Sequence, residues 1–558
     1  MGEVELALTN IDCSPWNPDL KAIGISQGKV AVQWTDPSAV DARDIVDCGG
    51  RTLLPGIEDS HLHGYEFGRS LTAVDVSVRT APDIAALRSV IARAQVEETG
   101  WIRGIGWDDT VLRGSGPNGT VTARDIDDVC PNVPVILANV TGHQALCNSK
   151  ALELAGITGS GVPDPLGGRF IRSEDGVPTG LLYEAAVARV TSVISPLGRA
   201  AKRDAILAAQ ESLLSQGVVA FTNPGLGPGA DTILDGTGDL EVVQAYRDLV
   251  DEGRLHLRVD VMLLYGGLGG TTAQDVATGL DAFGPPQPMP VGGHLGISQL
   301  KVFADGIPRS RTAWMVDPYD DCTHGHLQVA GGTDEERIAE LHKILVEGAS
   351  RGWQIGLHTI GDRAISTVVD GIARVKSFDS SLRHYVIHGD FVVDEDLHRM
   401  SELGVTLNAN PSIRWSVGGR VSSIVGESRN NSRQRLRTAW DVGVNVCSSS
   451  DAPVESPDWR VMVAAAMTRS WRDDPQRTDA ETLTASEAIA SLTRNAAWQS
   501  GAESWRGSLN IGQVADFIIM ADKVDWSDPW ALPKIPVQAT AIGGKVVFGE
   551  IAERRLGP

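Results

Sequence analysis

The chain has 558 residues, 42% of them hydrophobic and 22% charged, enough for a sizeable core and for one large domain with a satellite rather than several equal ones. Its formal charge of -22 argues against nucleic acid or an anionic membrane as partner, since both require a basic face. No run approaches the roughly 18 uninterrupted apolar residues of a membrane span, and six scattered cysteines without a C-x-x-C pair fit reduced thiols, so the cytoplasm is the expected compartment.

The first fifty-odd residues read as short strands (VELALTN, KAIGISQ, KVAVQW, DIVDCGG) broken by Gly, Pro and Asp, hence a β-rich element. The next stretch, LLPGIEDSHLHG from Leu53 to Gly64, ends an apolar run on His61 and His63. Residues i and i+2 of a strand point to the same side, so the spacing predicts two imidazoles facing one point. Imidazole is the commonest protein ligand for zinc and similar ions, which makes a metal centre the first hypothesis. The bare pair is equally compatible with chance.

Further along, short apolar runs alternate with helical patterns in the manner of a parallel barrel. The candidate strands are LLPGIEDSH, GVVAFTN, LRVDVMLLY, QLKVFADG, QIGLHTIG, HYVIHGD, GVTLNANPS and NVCSSSD. DEERIAELHKILVEGASRG fits a helix before the fifth, with Ile338, Leu341, Leu345 and Ala349 at helical spacing and Gly352 as its stop. Residues 64 to 216 are far too many for one strand-helix unit of about 30 residues, so an inserted subdomain is expected there. The last fifty residues return to strand-like runs (SLNIGQVADFIIMA, IPVQATAIGG, KVVFGEIA).

Four of the candidate strands close on a polar residue with chemistry to offer: Lys301, His358, His388 and Asp451. Singly, each has a plain alternative. His358 fits a satisfied core or surface histidine, Lys301 a snorkelling strand-end lysine, and Asp451 a helix N-cap before Ala452 and Pro453. Together, the order H-x-H, Lys, His, His, Asp along strands 1, 4, 5, 6 and 8 resembles the ligand pattern of the amidohydrolase superfamily of metal-dependent hydrolases. GSLNIGQVADFII resembles the segment with which those hydrolases return to a small β-sandwich, where Asp516 is structural. GIGWDD, VPVILANVTGHQALCNSKALELAGI, GVPTGLLYEAA, SRTA, DPYDD and HTIGDRAI are similar to the YtcJ-like branch, to which the N-substituted formamide deformylases belong.

The resemblance implies an α/β fold: a (β/α)8 barrel over 55–504 with an α/β insertion at about 66–215, and a composite β-sandwich from 1–54 and 505–558. It implies a binuclear centre with zinc as the expected metal: one ion on His61, His63 and Asp451, a second on His358 and His388, and a carboxylated Lys301 as bridge. The expected reaction is hydrolysis of a C–N bond in an amide or an N-acyl or N-formyl compound by metal-bound hydroxide, with Asp451 as general base and then general acid. Alternatives are a deaminase or cyclic amide hydrolase of the same superfamily, and a non-catalytic scaffold.

Candidate substrate contacts come from loops expected at the catalytic face: His143, Trp107 and Asp108 in the insertion, Arg309 and Arg311 after strand 4, and Arg414 and Trp415 after strand 7. The insertion is expected to fold back as a lid. His256, His294, His342, His384 and His398 lack such contexts and are read as structural. The expected partner is a small-molecule substrate; a homodimer is left open.

Overall fold

The computed structural model describes residues 4–109, 111–116, 119–140, 142, 144–165, 168–228, 238–266 and 270–551. Eight parallel strands make one sheet in chain order: Ile57–Asp59, Val218–Leu226, Arg258–Leu263, Leu295–Phe303, Gln354–Thr359, Tyr385–His388, Thr406–Ala409 and Val446–Ser448. These are barrel strands 1 to 8, one in each of the eight candidate segments. The sheet curls into a nearly closed barrel. Individual bonds stitch its last strand to its first, among them Ser60 Oγ to Ser448 O at 3.0 Å and Asp451 N to His61 O at 2.9 Å.

Local sequence explains the outer helices. Asp334–Ser350 starts with a reciprocal cap in which Glu336 N donates to Thr333 Oγ1 (3.2 Å) and Thr333 N to the Glu336 carboxylate (3.2 Å). It buries Leu341, Ile344, Leu345 and Ala349 against the barrel. Gly348 lets the helix lie close, because a Cβ there would come within 2.8 Å of the Leu300 side chain.

The first barrel strand is shorter than the apolar run suggests. Leu53–Pro55 pairs antiparallel with Phe517–Met520 in a separate four-stranded sheet, and only Ile57–Asp59 enters the barrel. The switch is at Gly56, where a Cβ would lie 2.5 Å from Val219 Cγ2. His61 and His63 therefore follow the strand rather than occupy it, and His63 is the N-cap of helix Gly64–Thr72.

A second four-stranded sheet, Lys29–Trp34, Ala22–Ser26, Leu6–Thr9 and Asp44–Asp47 in spatial order, shares its core with the sheet containing Leu53–Pro55. Leu8, Ile23 and Ile25 from the N-terminal part pack with Phe517, Ile519 and Ala539 from the C-terminal part. Asp516 ties this pair of sheets to the barrel. Arg258 of barrel strand 3 donates from Nε and Nη2 to its carboxylate at 2.7 and 3.0 Å, with both groups buried.

Between barrel strands 1 and 2 lies a six-stranded mixed sheet running from Val74 to Glu184 in the chain. The helices on either side of it in sequence, Gly64–Thr72 and Arg199–Ser215, belong to the barrel layer. Phe67, Ala205, Ile206, Ala209 and Leu213 join the main core, and a Cβ on Gly68 would meet Ala205 O at 1.8 Å. The insertion has its own core, and Trp107 is part of it: 1% exposed, packed with Leu112, Val121, Ile126 and Leu137, its Nε1 donating to Leu137 O at 2.8 Å. Trp107 is thus a core residue of the insertion, and the expectation that it touches substrate does not fit its buried position.

Two outcomes follow. Asp516→Ala strands the buried Arg258 guanidinium and should lower stability by about 3–5 kcal/mol in denaturant titration, with metal content unchanged. Trp107→Phe deletes one buried hydrogen bond and should cost about 1 kcal/mol in the same measurement; unaltered stability would overturn its core role.

Candidate metal centre

Three post-strand positions, two positions within strands and one strand end bring the six ligand candidates together. His61 and His63 follow strand 1, Lys301 and His358 lie in strands 4 and 5, His388 ends strand 6, and Asp451 follows strand 8. All six are buried. His388 and Asp451 take left-handed backbone, at φ +70° and +60°, a conformation that costs about 1–3 kcal/mol in a non-glycine residue and persists where the surroundings over-determine it.

Asp451 Oδ1 lies 3.1 Å from His63 Nε2 and 3.3 Å from His61 Nε2, and the ligand atoms of these three residues all fall within 4.8 Å of one another. Lys301 Nζ is 3.5 Å from His61 Nε2. The His388 ring centroid is 4.6 Å from that of His358 and 5.9 Å from that of His61. The distances divide the site into a His61–His63–Asp451 group and a neighbouring His358–His388 group.

The electrostatics suit a cation. Burial, followed by the Lys301 ammonium, pulls the His61 imidazole down to about 3. Burial and the neighbouring His358 pull His388 down to about 4. Both rings are therefore neutral, with lone pairs to donate. Burial works to raise the Asp451 carboxyl, but its bonds with His61 and His63 hold it well below the usual carboxylate range. Neutral imidazoles with an ionised carboxylate are the donor set that zinc and its neighbours take.

Groups behind the cluster orient it, and none of them carried a sequence signal. Asn410, just beyond strand 7, accepts from His388 Nδ1 at 2.7 Å. Its amide is pinned by Nδ2 donating to Ser449 O and Oγ at 3.2 and 3.0 Å. With Nδ1 of His388 committed as donor, Nε2 is left with the lone pair. Asp305, fully buried, accepts from the backbone N–H of Trp314, Ile360 and Gly361, and its Oδ1 is 3.7 Å from His358 Nδ1.

The cluster opens into a cavity of about 1190 Å³ lined by His63, His358, His388 and Asp451 at its floor. Asp108, Val140, Arg169 and Tyr183 of the insertion line the same cavity, so the insertion lies over the catalytic face of the barrel. Arg309 and Arg311 also line it. Arg309 bonds Asp109 of the insertion, and Arg311 bonds Asp320 at 2.8 and 3.0 Å. His143 lies outside the described residues. Arg414 and Trp415 are not among the residues lining the cavity. Arg414 is buried, donating to Arg469 O and Asp479, and Trp415 is stacked with Trp530, ring centroids 5.0 Å apart, and with Arg472. The cavity also holds His324 and His326. They follow strand 4 in a loop, so their H-x-H spacing is the one signal that could find them.

Among the described residues no helix is long and apolar enough to cross a membrane. A model of the amidohydrolase family matches residues 44–548. The putative amidohydrolase YtcJ of Bacillus subtilis (strain 168) is 26% identical over 509 residues, 90% of each chain. The N-substituted formamide deformylase of Arthrobacter pascens is 28% identical over 524 residues, 91% of each. A metal-dependent hydrolase from Pyrococcus horikoshii OT3 superposes with a TM-score of 0.72 at 27% identity, covering 93% of this chain and 97% of its own. With the match running through barrel, insertion and most of the C-terminal segment, the chain belongs to the amidohydrolase family.

Proposed function

We propose that this enzyme hydrolyses the C–N bond of an amide, with an N-acyl or N-formyl amine as substrate. The carrying observation is the buried convergence of His61, His63 and Asp451 at the mouth of the barrel, with ligand atoms within 4.8 Å of one another. Similarity to a formamide deformylase along 91% of the chain supports amide chemistry over other hydrolyses in the family.

His61, His63 and Asp451 would hold one divalent cation, zinc in this reading, and His358 with His388 a second. Such a cation supplies a Lewis acid that polarises a carbonyl and makes a coordinated water acidic near neutral pH. Lys301 is the anomalous neighbour, since an ammonium beside a cation is repelled. As a neutral amine it would add to carbon dioxide with loss of a proton, giving a carbamate whose negative charge suits a neighbouring cation where an ammonium does not.

Asp451 does the proton work. Its ionised carboxylate, at the cavity floor and in contact with both His61 and His63, takes the proton of the attacking water and returns it to the departing nitrogen. The ligand cluster is buried at the floor of a cavity that the insertion helps to line, which would place charge developing on the carbonyl oxygen in a low dielectric.

Asp451→Asn, close to isosteric, should lower turnover at least about a hundredfold with the fold intact. Near-normal turnover of that variant at full metal occupancy would remove Asp451 from the role. Asn410→Ala should weaken metal binding by about 10–100-fold in a competition titration with a chelator, while Asn410→Asp, which keeps an acceptor for His388 Nδ1, should retain most of the affinity.

A further inference from the structure

Asn410 aims the ring of His388, but the strand does not fix the backbone that carries the ring. His388 and the following Gly389 both leave strand 6 in left-handed backbone, at φ +70° and +60°, and a glycine imposes no conformation of its own. What restrains this exit lies just beyond it. The buried Asp390 accepts through Oδ2 from Arg433 Nε and Nη2 at 3.0 and 2.6 Å, and through Oδ1 from Gln434 Nε2 at 2.9 Å. Its carbonyl oxygen accepts from Gln434 N at 2.8 Å.

Gln434 reaches the other anchor as well, since its Nε2 also donates to Asn410 O at 3.2 Å. One side chain, on the connection between helices Glu427–Asn431 and Leu436–Asp441, thus joins the residue two places after His388 to the residue that accepts from the His388 ring. Both partners of Nε2 are oxygens that can only accept, so the amide has one orientation. Folding alone gives little reason for a glutamine here. The residue is 1% exposed, its backbone sits at φ +53°, and its Oε1 makes no hydrogen bond among the described residues. A left-handed side-chain residue and an orphaned buried acceptor are each unfavourable for stability. Such local conflicts, set beside a functional cluster, mark a residue that serves the site.

We propose that Gln434 is a positioning residue for His388: it clamps the Asp390 and Asn410 anchors in one register, so that backbone and ring of the histidine are held together. Arg433, although it lines the cavity, is committed to Asp390 and belongs to the same clamp. This rests on the reading of His388 as a metal ligand, and the test separates the two. Zinc affinity of the full chain is measured by competition with a chelator for the unaltered protein, Gln434→Met, His388→Ala and the double variant. Gln434→Met keeps the volume and deletes both Nε2 bonds; it should weaken binding by about 10–100-fold, the range for a ligand that loses its support. In the His388→Ala background the same change should alter affinity by less than about twofold, because no ring remains to be placed. Gln434→Glu sets a carboxylate against two acceptors and should cost at least as much as Gln434→Met, which supplies a second reading where the methionine variant does not fold. Equal losses with and without His388 are the behaviour of a general structural residue and overturn the proposal. A loss in His388→Ala with none in either Gln434 variant overturns the positioning role alone. Undiminished zinc affinity in His388→Ala overturns the ligand reading and the positioning role with it.

Discussion

Closure of the barrel is the constraint on which the metal centre rests. Asp59, at the end of strand 1, accepts from His61 N and from Ser450 N, both at 3.2 Å, and so joins the first and last strand ends through one buried carboxylate. Asp451 N then donates to His61 O at 2.9 Å and His63 N to Ala452 O at 3.0 Å. These bonds span a sequence separation of nearly the whole barrel, and the entropy of closing so long a loop is recovered only when every intervening strand is in place. The same contacts set Asp451 Oδ1 against His61 and His63. The site is in this sense a product of topology: its ligands converge because the sheet closes.

Closure alone does not aim a side chain. At His388 and Asp451 the chain leaves its strand through left-handed backbone, which no β-strand propensity supplies. Fixed groups behind them hold that geometry: Asn410 on His388, Asp305 near His358, and the Asp59 carboxylate under His61. Each is itself held by further bonds, Asn410 by its Nδ2 donating to Ser449, Asp59 by the Ser450 N–H and Asp305 by three backbone N–H groups. A ligand whose partner cannot move is held ready before any cation arrives, which is the structural content of preorganisation.

What could be read from sequence follows from what periodicity encodes. A buried parallel strand is a short apolar run, and a functional residue at its mouth is a polar break in that run, which is how Lys301, His358, His388 and Asp451 are legible. Asn410 also breaks such a run, yet asparagine after a strand is ordinary turn chemistry and carries no mark of the histidine it will meet. The division of LLPGIED between two sheets escapes periodicity, because Leu53–Pro55 and Ile57–Asp59 are equally buried; the reason lies in the 2.5 Å approach of Val219 to Gly56. Trp415 shows the same limit. A tryptophan in a loop after strand 7 suits a substrate contact, and only the fold brings Trp530 from the C-terminal region against it.

Trp107 teaches something further about how the cavity is roofed. An insertion that covers a barrel mouth must present polar residues to the ligand, yet it has to stay rigid without help from the barrel's own core. Here strand Ile102–Trp107 ends on a side chain locked into the insertion's interior and bonded to Leu137 O. The two residues that follow face outward from that anchor: Asp108 lines the cavity, and Asp109 receives both Asn139 Nδ2 and the guanidinium of Arg309 from the loop after strand 4. A charged bridge between two loops contributes little if either end is free to wander, because the entropy of holding it offsets the Coulomb gain. With Trp107 fixing one end and strand 4 the other, the same bridge can keep the roof in register with the metal centre. The tryptophan therefore serves the cavity from one residue behind it, through packing.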